Sequence, residues 1–236
     1  MLISRKDIYE KRTDHTNYYN KYGKLVPSVT TVLKVISKDS LIQWANNLGW
    51  KRTSVKHVLD ESSIVGTYVH NYAESLMTEN YDKCNEILNE VNYLDENAQL
   101  KILNAIKSFK LWWNDNYNLT ILECEKEMSC DLYGGTIDVI AKNIKNKKII
   151  IDLKTSKDIY YTMYLQLAAY KNMYEINEDE SIDDVAILII DKYKGTKAKL
   201  YYLKDLNKGH ISLYYETFRR ALLLNETITI LDHKWN

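Results

Sequence analysis

Proline occurs once in this chain of 236 residues and glycine seven times, and no linker, repeat or low-complexity tract interrupts it. Cysteine is almost as scarce. Cys84, Cys124 and Cys130 are too few and too unevenly spaced for a disulfide framework or a CxxC metal site. Net charge is absent too, because 32 Lys and Arg offset 32 Asp and Glu. That balance argues against a protein that coats nucleic acid by charge alone. Long apolar runs are missing: the longest, Val185 to Ile190, is strand-sized, whereas a membrane helix needs about 20 such residues. The opening MLISRKDIYEKR has no apolar stretch of the kind a secretion signal requires. The expectation is a reduced, soluble, cytoplasmic protein with no membrane partner.

What the chain does contain is enough to fold. At 45% hydrophobic and 27% charged, it can bury a core without staples and is not disordered. Charge is unevenly placed: residues 1–60 carry 11 basic against 5 acidic side chains, and residues 61–131 carry 5 against 13. Solvated helix faces account for such blocks, and so does a basic entrance to an acidic, metal-holding interior. Tyr18 to Val26 reads as a short hairpin turning at Asn20-Lys21-Tyr22-Gly23. Ser28 or Thr30 is placed to cap a helix after Pro27, with Val29, Val32, Leu33 and Ile36 on one face. Helical periodicity continues through Leu41–Leu48 and Ser63–Met77, and residues 83–116 predict one or two further helices. Strands are predicted at Leu119–Met128, Tyr133–Ala141, Lys148–Leu153, Val185–Asp191 and Ala198–Leu203, and helices at Lys157–Tyr174 and His210–Leu224. The order, helices and then β-β-β-α-β-β-α, predicts an α/β or α+β fold, a mixed central sheet flanked by helices behind a helical front section. We expect one domain over residues 1–236, with residues 1–116 as that front and residues 117–236 as the core.

The chemistry concentrates in Gly134-Gly135-Thr136-Ile137-Asp138 and in Ile149-Ile150-Ile151-Asp152-Leu153-Lys154-Thr155-Ser156. Side chains alternate along a strand, so Asp152 and Lys154 share a face while Leu153 takes the other. Asp138 occupies the equivalent end of the preceding strand. Two carboxylates brought together this way repel unless a cation lies between them, and a hard divalent ion suits such an oxygen pocket. The neighbouring lysine can hold a scissile phosphate or an attacking water. Gln166 and Tyr170, four apart on the next helix, turn to one partner. The plain alternative for Asp152 and Lys154 is an ion pair at a strand end.

Taken together, these segments resemble the RecB-type branch of the PD-(D/E)XK nuclease superfamily. The G-x-x-D strand is matched by Gly135–Asp138, the D-x-K strand by Asp152–Lys154 and the Q-x-x-x-Y helix by Gln166–Tyr170. An upstream G-x-x-x-H-x-x-x-E helix is matched by Gly66, His70 and Glu74. The segment Pro27-Ser28-Val29-Thr30-Thr31-Val32-Leu33 is similar to one in phage exonucleases and the mitochondrial genome-maintenance exonuclease. The likeness runs from about Tyr18 to the closing helix. It implies a restriction-endonuclease-like core and a magnesium-dependent (or manganese-dependent) DNA exonuclease of phage-type recombination, replication or repair. Such an enzyme would act on single strands or free ends, in a host cytoplasm if the chain is phage-encoded. It also implies roles: Asp138, Asp152, His70 and the Leu153 carbonyl as metal ligands, Lys154 on the water and the phosphate, and Gln166 and Tyr170 as positioning groups. Glu123, fifteen residues before Asp138, and Glu74 are further candidates from the same resemblance, as are Ser28 and Thr30 in the front segment. Glu123, Glu125 and Glu127 alternate, so a regular strand would point all three one way. The three cysteines cannot supply the four-cysteine iron–sulfur cluster that some members carry. A structure-selective endonuclease and a DNA-binding relative without catalysis remain the alternatives. His15, His57, His210 and His233 match no motif. Of the aromatics, Tyr18, Tyr19, Tyr22, Trp44 and Trp50 are candidates for stacking on bases.

Overall fold

The computed structural model describes residues 16–36, 39–116, 118–206 and 211–235, without the side chains at 39–41, 205–206 and 233–235. Strands β1 (Tyr18–Tyr19) and β2 (Leu25–Val26) pair antiparallel around the expected turn. Gly23 takes a left-handed φ of 73°, which costs least at glycine, and its N–H donates to the Asn20 carbonyl at 2.8 Å. The Asn20 side-chain oxygen accepts from the N–H groups of Tyr22 and Lys24, both at 3.0 Å, and so closes the turn. After Pro27, the Ser28 hydroxyl accepts the Thr31 N–H at 3.0 Å and caps the short helix α1 (Val29–Val32). A 3₁₀ turn, Leu33–Val35, continues it.

Four longer helices follow: α2 (Asp39–Trp50), α3 (Val55–Met77), α4 (Tyr81–Val91) and α5 (Glu96–Asn114). The last three begin at Ser54, Asn80 and Asp95, whose side-chain oxygens accept the N–H of His57, Lys83 and Ala98. Each cap satisfies a backbone donor that the helix cannot. The 83–116 stretch is thus two helices. The break falls at Asn92–Asp95, where Asp95 starts a new helix. No described side chain of α2 is buried.

The core sheet runs β3 (Thr120–Ser129), β4 (Gly134–Lys142), β5 (Lys148–Lys154), β6 (Asp184–Ile189) and β7 (Lys199–Tyr202), adjacent in that order. Only β5 and β6 are parallel, joined by the crossover helix α6 (Tyr161–Glu178). Alternation sorts the side chains. Ile149, Ile151 and Leu153 pack with α3, α4 and α5 on one face, and Ile150 packs with α6 and the closing helix α7 (Ile211–Trp235) on the other. The result is a mixed sheet between two helical layers, as the sequence predicts. Three helices depart from their expected ends. Helix α3 starts at Val55, capped by Ser54, and not at Ser63. Ser156–Tyr160 is irregular, with the Ser156 hydroxyl bonded to the Asp158 carbonyl, so α6 starts at Tyr161 and not Lys157. The last helix runs to Trp235 although its buried face ends at Leu222, and Leu223, Ile228 and Ile230 beyond are exposed. Among the described residues, no helix is long and apolar enough to cross a membrane.

Candidate metal centre

Strands β4 and β5 are paired from Lys142–Lys148 up to Val139–Ile151 and part beyond that point. In the gap, the Asp138 carboxylate takes over from a ladder carbonyl: its Oδ2 accepts the Leu153 N–H at 2.7 Å. The other side of the Leu153 backbone is held as well. His70 Nε2 lies 3.0 Å from the Leu153 carbonyl, so this nitrogen carries the proton and donates it. Burial of Tyr68, Val69, Tyr72 and Ala73 fixes the roll of α3 and turns His70 toward the end of β5. The Asp138 carboxylate, the His70 imidazole and the Leu153 carbonyl thereby meet at the carboxyl end of β5.

A third carboxylate arrives by an irregularity. Cys124 faces Val139 and Lys126 faces Ile137 across the ladder, which puts Glu125 opposite Asp138. Glu125 has φ of 47°, the left-handed region that a glutamate rarely adopts. The strand changes face there. Cys124 packs with the α3–α5 layer, whereas Lys126 reaches Glu178 at 2.9 Å and the Tyr174 ring at 5.5 Å, both on α6. The three glutamates therefore do not act alike, contrary to the expectation from alternation. Glu125 Oε1 comes within 3.8 Å of His70 Nδ1, and Asp138 Oδ2 within 3.7 Å. Glu123 pairs with Lys126 at 2.7 Å instead, and Glu127 lies 3.5 Å from the Thr16 hydroxyl. His70, Glu125 and Asp138 each offer a ligand atom within 4.8 Å of the others, and this group could hold a metal ion.

Asp152 and Lys154 share the face of Ile150, toward α6. Asp152 is 1% exposed, and neither of its oxygens has a partner in hydrogen-bond geometry. The Lys154 ammonium stands 2.5 Å from Oδ2 as an ion pair without that geometry. Burial pushes the Asp152 carboxyl above its ordinary range; the Asp138 charge adds to this and Lys154 opposes it. Burial would lower Lys154 and His70, but the carboxylates outweigh it and raise both, Asp152 and Asp138 at the lysine, Asp138 and Glu125 at the histidine. Burial, with Glu74, Glu125 and Asp138 adding to it, pushes the Cys124 thiol up to about 12, which leaves it protonated. Burial leads at Asp152 and Cys124 and the acids at Lys154 and His70, and nearby negative charge adds to every one of these upward shifts. Oxygen and imidazole donors, a buried carboxylate whose Oδ1 has no partner and a negative field fit a hard divalent cation.

Gln166 Nε2 donates to the Tyr170 hydroxyl at 3.0 Å, and the Tyr170 ring lies against Gly135, where an added Cβ would meet Cε1 at 2.6 Å. The glycine of the first strand motif and the tyrosine of the helix motif are thus packing partners. Lys154 and Gln166 line a cleft of about 530 Å³. Glu74, one turn beyond His70, stays outside the ligand group, its carboxyl raised by burial and by Glu125. Ser28 is taken up in capping α1, and exposed Thr30 borders the cleft. His57 is exposed in the first turn of α3. His15, His210 and the His233 side chain lie outside the described residues. Sequence reading missed Glu125, since its selection over Glu123 depends on register and on one left-handed residue.

No family model matches the chain, and no curated protein matches it. Among solved structures, it is similar to a protein from Eubacterium rectale provisionally named an exonuclease, at 15% identity, with 71% of this chain and 68% of that chain covered and a TM-score of 0.44. It is also similar to a protein named SSO0001, at 18% identity, over 66% of this chain and 74% of that chain, with a TM-score of 0.30. Neither likeness is close enough to lend this chain a function, which has to rest on its own residues.

Proposed function

We propose that the chain is a metal-dependent DNA exonuclease that hydrolyses phosphodiester bonds from free ends of single strands. The observation that carries this is that His70, Glu125 and Asp138 offer ligand atoms within 4.8 Å of one another beside the carboxyl end of β5, whose last residues are Asp152, Leu153 and Lys154. Asp138, Asp152, Glu125, His70 and the Leu153 carbonyl would hold a divalent cation, magnesium or manganese. Bound there, it would supply Lewis-acid polarisation of the phosphate and acidify a water.

The protein's own groups do the rest. In hydrolysis, a water oxygen bonds to phosphorus, the bond from phosphorus to the leaving sugar oxygen breaks, and that oxygen gains a proton. The carboxylates raise Lys154 above its ordinary range, so it works as a charged donor and not as a base. It stabilises the negative charge that grows on the phosphate oxygens and orients the water. Asp138 and His70 clamp the Leu153 backbone from both sides, which keeps its carbonyl aimed at the ligand group. Gln166, tied to Tyr170, edges the cleft beside Lys154 and positions the strand. The resemblance of the motifs to phage exonucleases suggests work in recombination, replication or repair.

The test uses end-labelled DNA, as linear and circular forms of one single strand, with magnesium and with excess chelator. The linear form should be degraded only with magnesium, and the circle should persist. Equal loss of the circle would make the enzyme an endonuclease, and cleavage in chelator would end the metal reading.

A further inference from the structure

The cleft beside Lys154 does not stop at the reaction centre. Its walls come from the 3₁₀ turn (Lys34), from α2 (Ile42) and from the start of α6 (Tyr160, Gln166). A second trough, of about 920 Å³, lies between the β1–β2 hairpin, α1 and the far half of α7, with Tyr18, Lys24 and Glu226 among its walls. Thr30 and Lys34 line both, so the two hollows adjoin along α1 and the 3₁₀ turn that continues it.

The chemistry along this path is that of a polyanion track. Lys154 stands at its start, Lys34 at the junction and Lys24 on the hairpin. Among the described residues, no acid pairs with Lys34 or Lys24, and both are exposed. Among the described residues, no acid lines the first cleft. Of the two described acids on the second, Asp131 is paired with Lys21 at 3.2 Å, which leaves Glu226 on the α7 wall. Aromatic surface accompanies the cations. Tyr160 is 44% exposed in the first cleft. Half-buried Tyr18 is pinned in the second by a 2.8 Å hydrogen bond between its hydroxyl and that of Thr136. Lysines spaced along a groove with rings beside them suit a strand whose bases are free to stack.

We propose that a single polynucleotide strand runs from the Lys154 cleft over Thr30 and Lys34 into the hairpin trough, with Lys34 and Lys24 each holding a backbone phosphate. This rests on the nuclease reading for the identity of the ligand, and it adds where the strand lies. The strand leaves the reaction centre along the hairpin side, away from the α3–α5 layer.

The test is binding and not cleavage. Anisotropy of fluorescein-labelled oligothymidylates of increasing length is measured on the full chain in chelator, over a range of salt, for the parent, Lys34→Ala, Lys24→Ala and Lys145→Ala. Lys145 borders a separate cleft with Asn143, Lys147 and Tyr202 and serves as a control. Removal of one phosphate contact should flatten the slope of log affinity against log salt by about 0.7 for a single strand. Lys34→Ala should do so at every length that binds, Lys24→Ala only for longer oligonucleotides, and Lys145→Ala not at all; Lys34→Arg should restore the slope. Unchanged slopes in both variants, equal flattening by Lys145→Ala, or the same lysine dependence for a blunt duplex would overturn the path and leave the nuclease reading standing. A parent that binds no oligonucleotide at all would overturn both.

Discussion

Gly135 offers the sharpest test of how the site is held, because a single methyl group decides it. A Cβ at this position would sit 2.6 Å from Tyr170 Cε1 and 3.3 Å from both Cζ and the hydroxyl oxygen. Carbon contacts are optimal at about 3.5–4.0 Å, so the ring must retreat by about 1 Å. It has little room to do so: Tyr170 is 4% exposed, its hydroxyl is tied to Gln166, and its helix neighbours Leu167 and Ala169 are fully buried. Overpacking of this kind costs about 1–3 kcal/mol. Loss of the glycine's freedom in the unfolded chain returns about 0.4–1 kcal/mol, too little to reverse the sign where the site is this tight. Mid-range values leave a net cost of about 1.3 kcal/mol, so Gly135→Ala should lower the melting temperature by roughly 3–5 °C, at about 2–4 °C per kcal/mol for a chain of this size. Catalysis should fall as well, since the Gln166–Tyr170 pair shifts beside Lys154. The double variant separates steric overlap from any general intolerance of alanine. Tyr170→Ala alone should cost about 3–5 kcal/mol as a truncated buried aromatic. In that background Gly135→Ala should cost almost nothing, a favourable coupling of about 1–3 kcal/mol. Thermal and urea unfolding of the four proteins measure it. A Gly135→Ala protein that melts with its parent would refute the packing argument, and so would a Gly135→Ala loss as large in the Tyr170→Ala background as in the parent.

The glutamates of β3 should separate in function. Glu125→Gln should weaken manganese binding and cleavage by about tenfold or more, whereas Glu123→Gln, which loses a partly exposed pair with Lys126, should leave both near the parent values; matched titrations and rates check this. Away from the site, burial of Asp191 works against its charge, but the Thr196 hydroxyl and the N–H groups of Tyr193, Lys194 and Thr196 outweigh it and hold the carboxyl at about 2. A folded value below the unfolded 3.8 means stability present above about pH 4 and lost as pH falls toward 2. Asp191 is half-buried and its partners are exposed loop groups, so Asp191→Ala should cost only about 1 kcal/mol at neutral pH, and its deficit should shrink in acid unfolding below pH 4; a deficit independent of pH would contradict the hydrogen-bond account.

Periodicity carried much of the fold, and the reasons it stopped short are local. The hairpin, the capped helices and the strand order follow from turn residues, caps and apolar spacing, which are properties of neighbouring residues. The end of α7 was not legible because the stretch beyond Leu222 buries nothing, and an unburied helix leaves no apolar stripe in the sequence. Of the site, Asp138, Asp152 and Lys154 were legible as charges at the ends of apolar strands. Glu125 was not, since three alternating glutamates look equivalent until one left-handed residue sets the register of two faces. Nor was the contact between Gly135 and Tyr170, because it joins β4 to α6 across thirty-five residues of chain.

The central claim is that Asp138, Asp152 and His70, with Glu125, hold a divalent cation that Lys154 needs in order to cut a phosphodiester. Manganese titration by calorimetry, run beside cleavage of labelled single-stranded DNA by the same preparations, tests it most directly. Asp138→Asn should lose both manganese binding and cleavage. Lys154→Ala should keep manganese binding while cleavage drops about 10²–10³-fold, the scale of losing a donor to transition-state charge. An Asp138→Asn protein that binds manganese like its parent, or that still cuts DNA at the parental rate, would contradict the account.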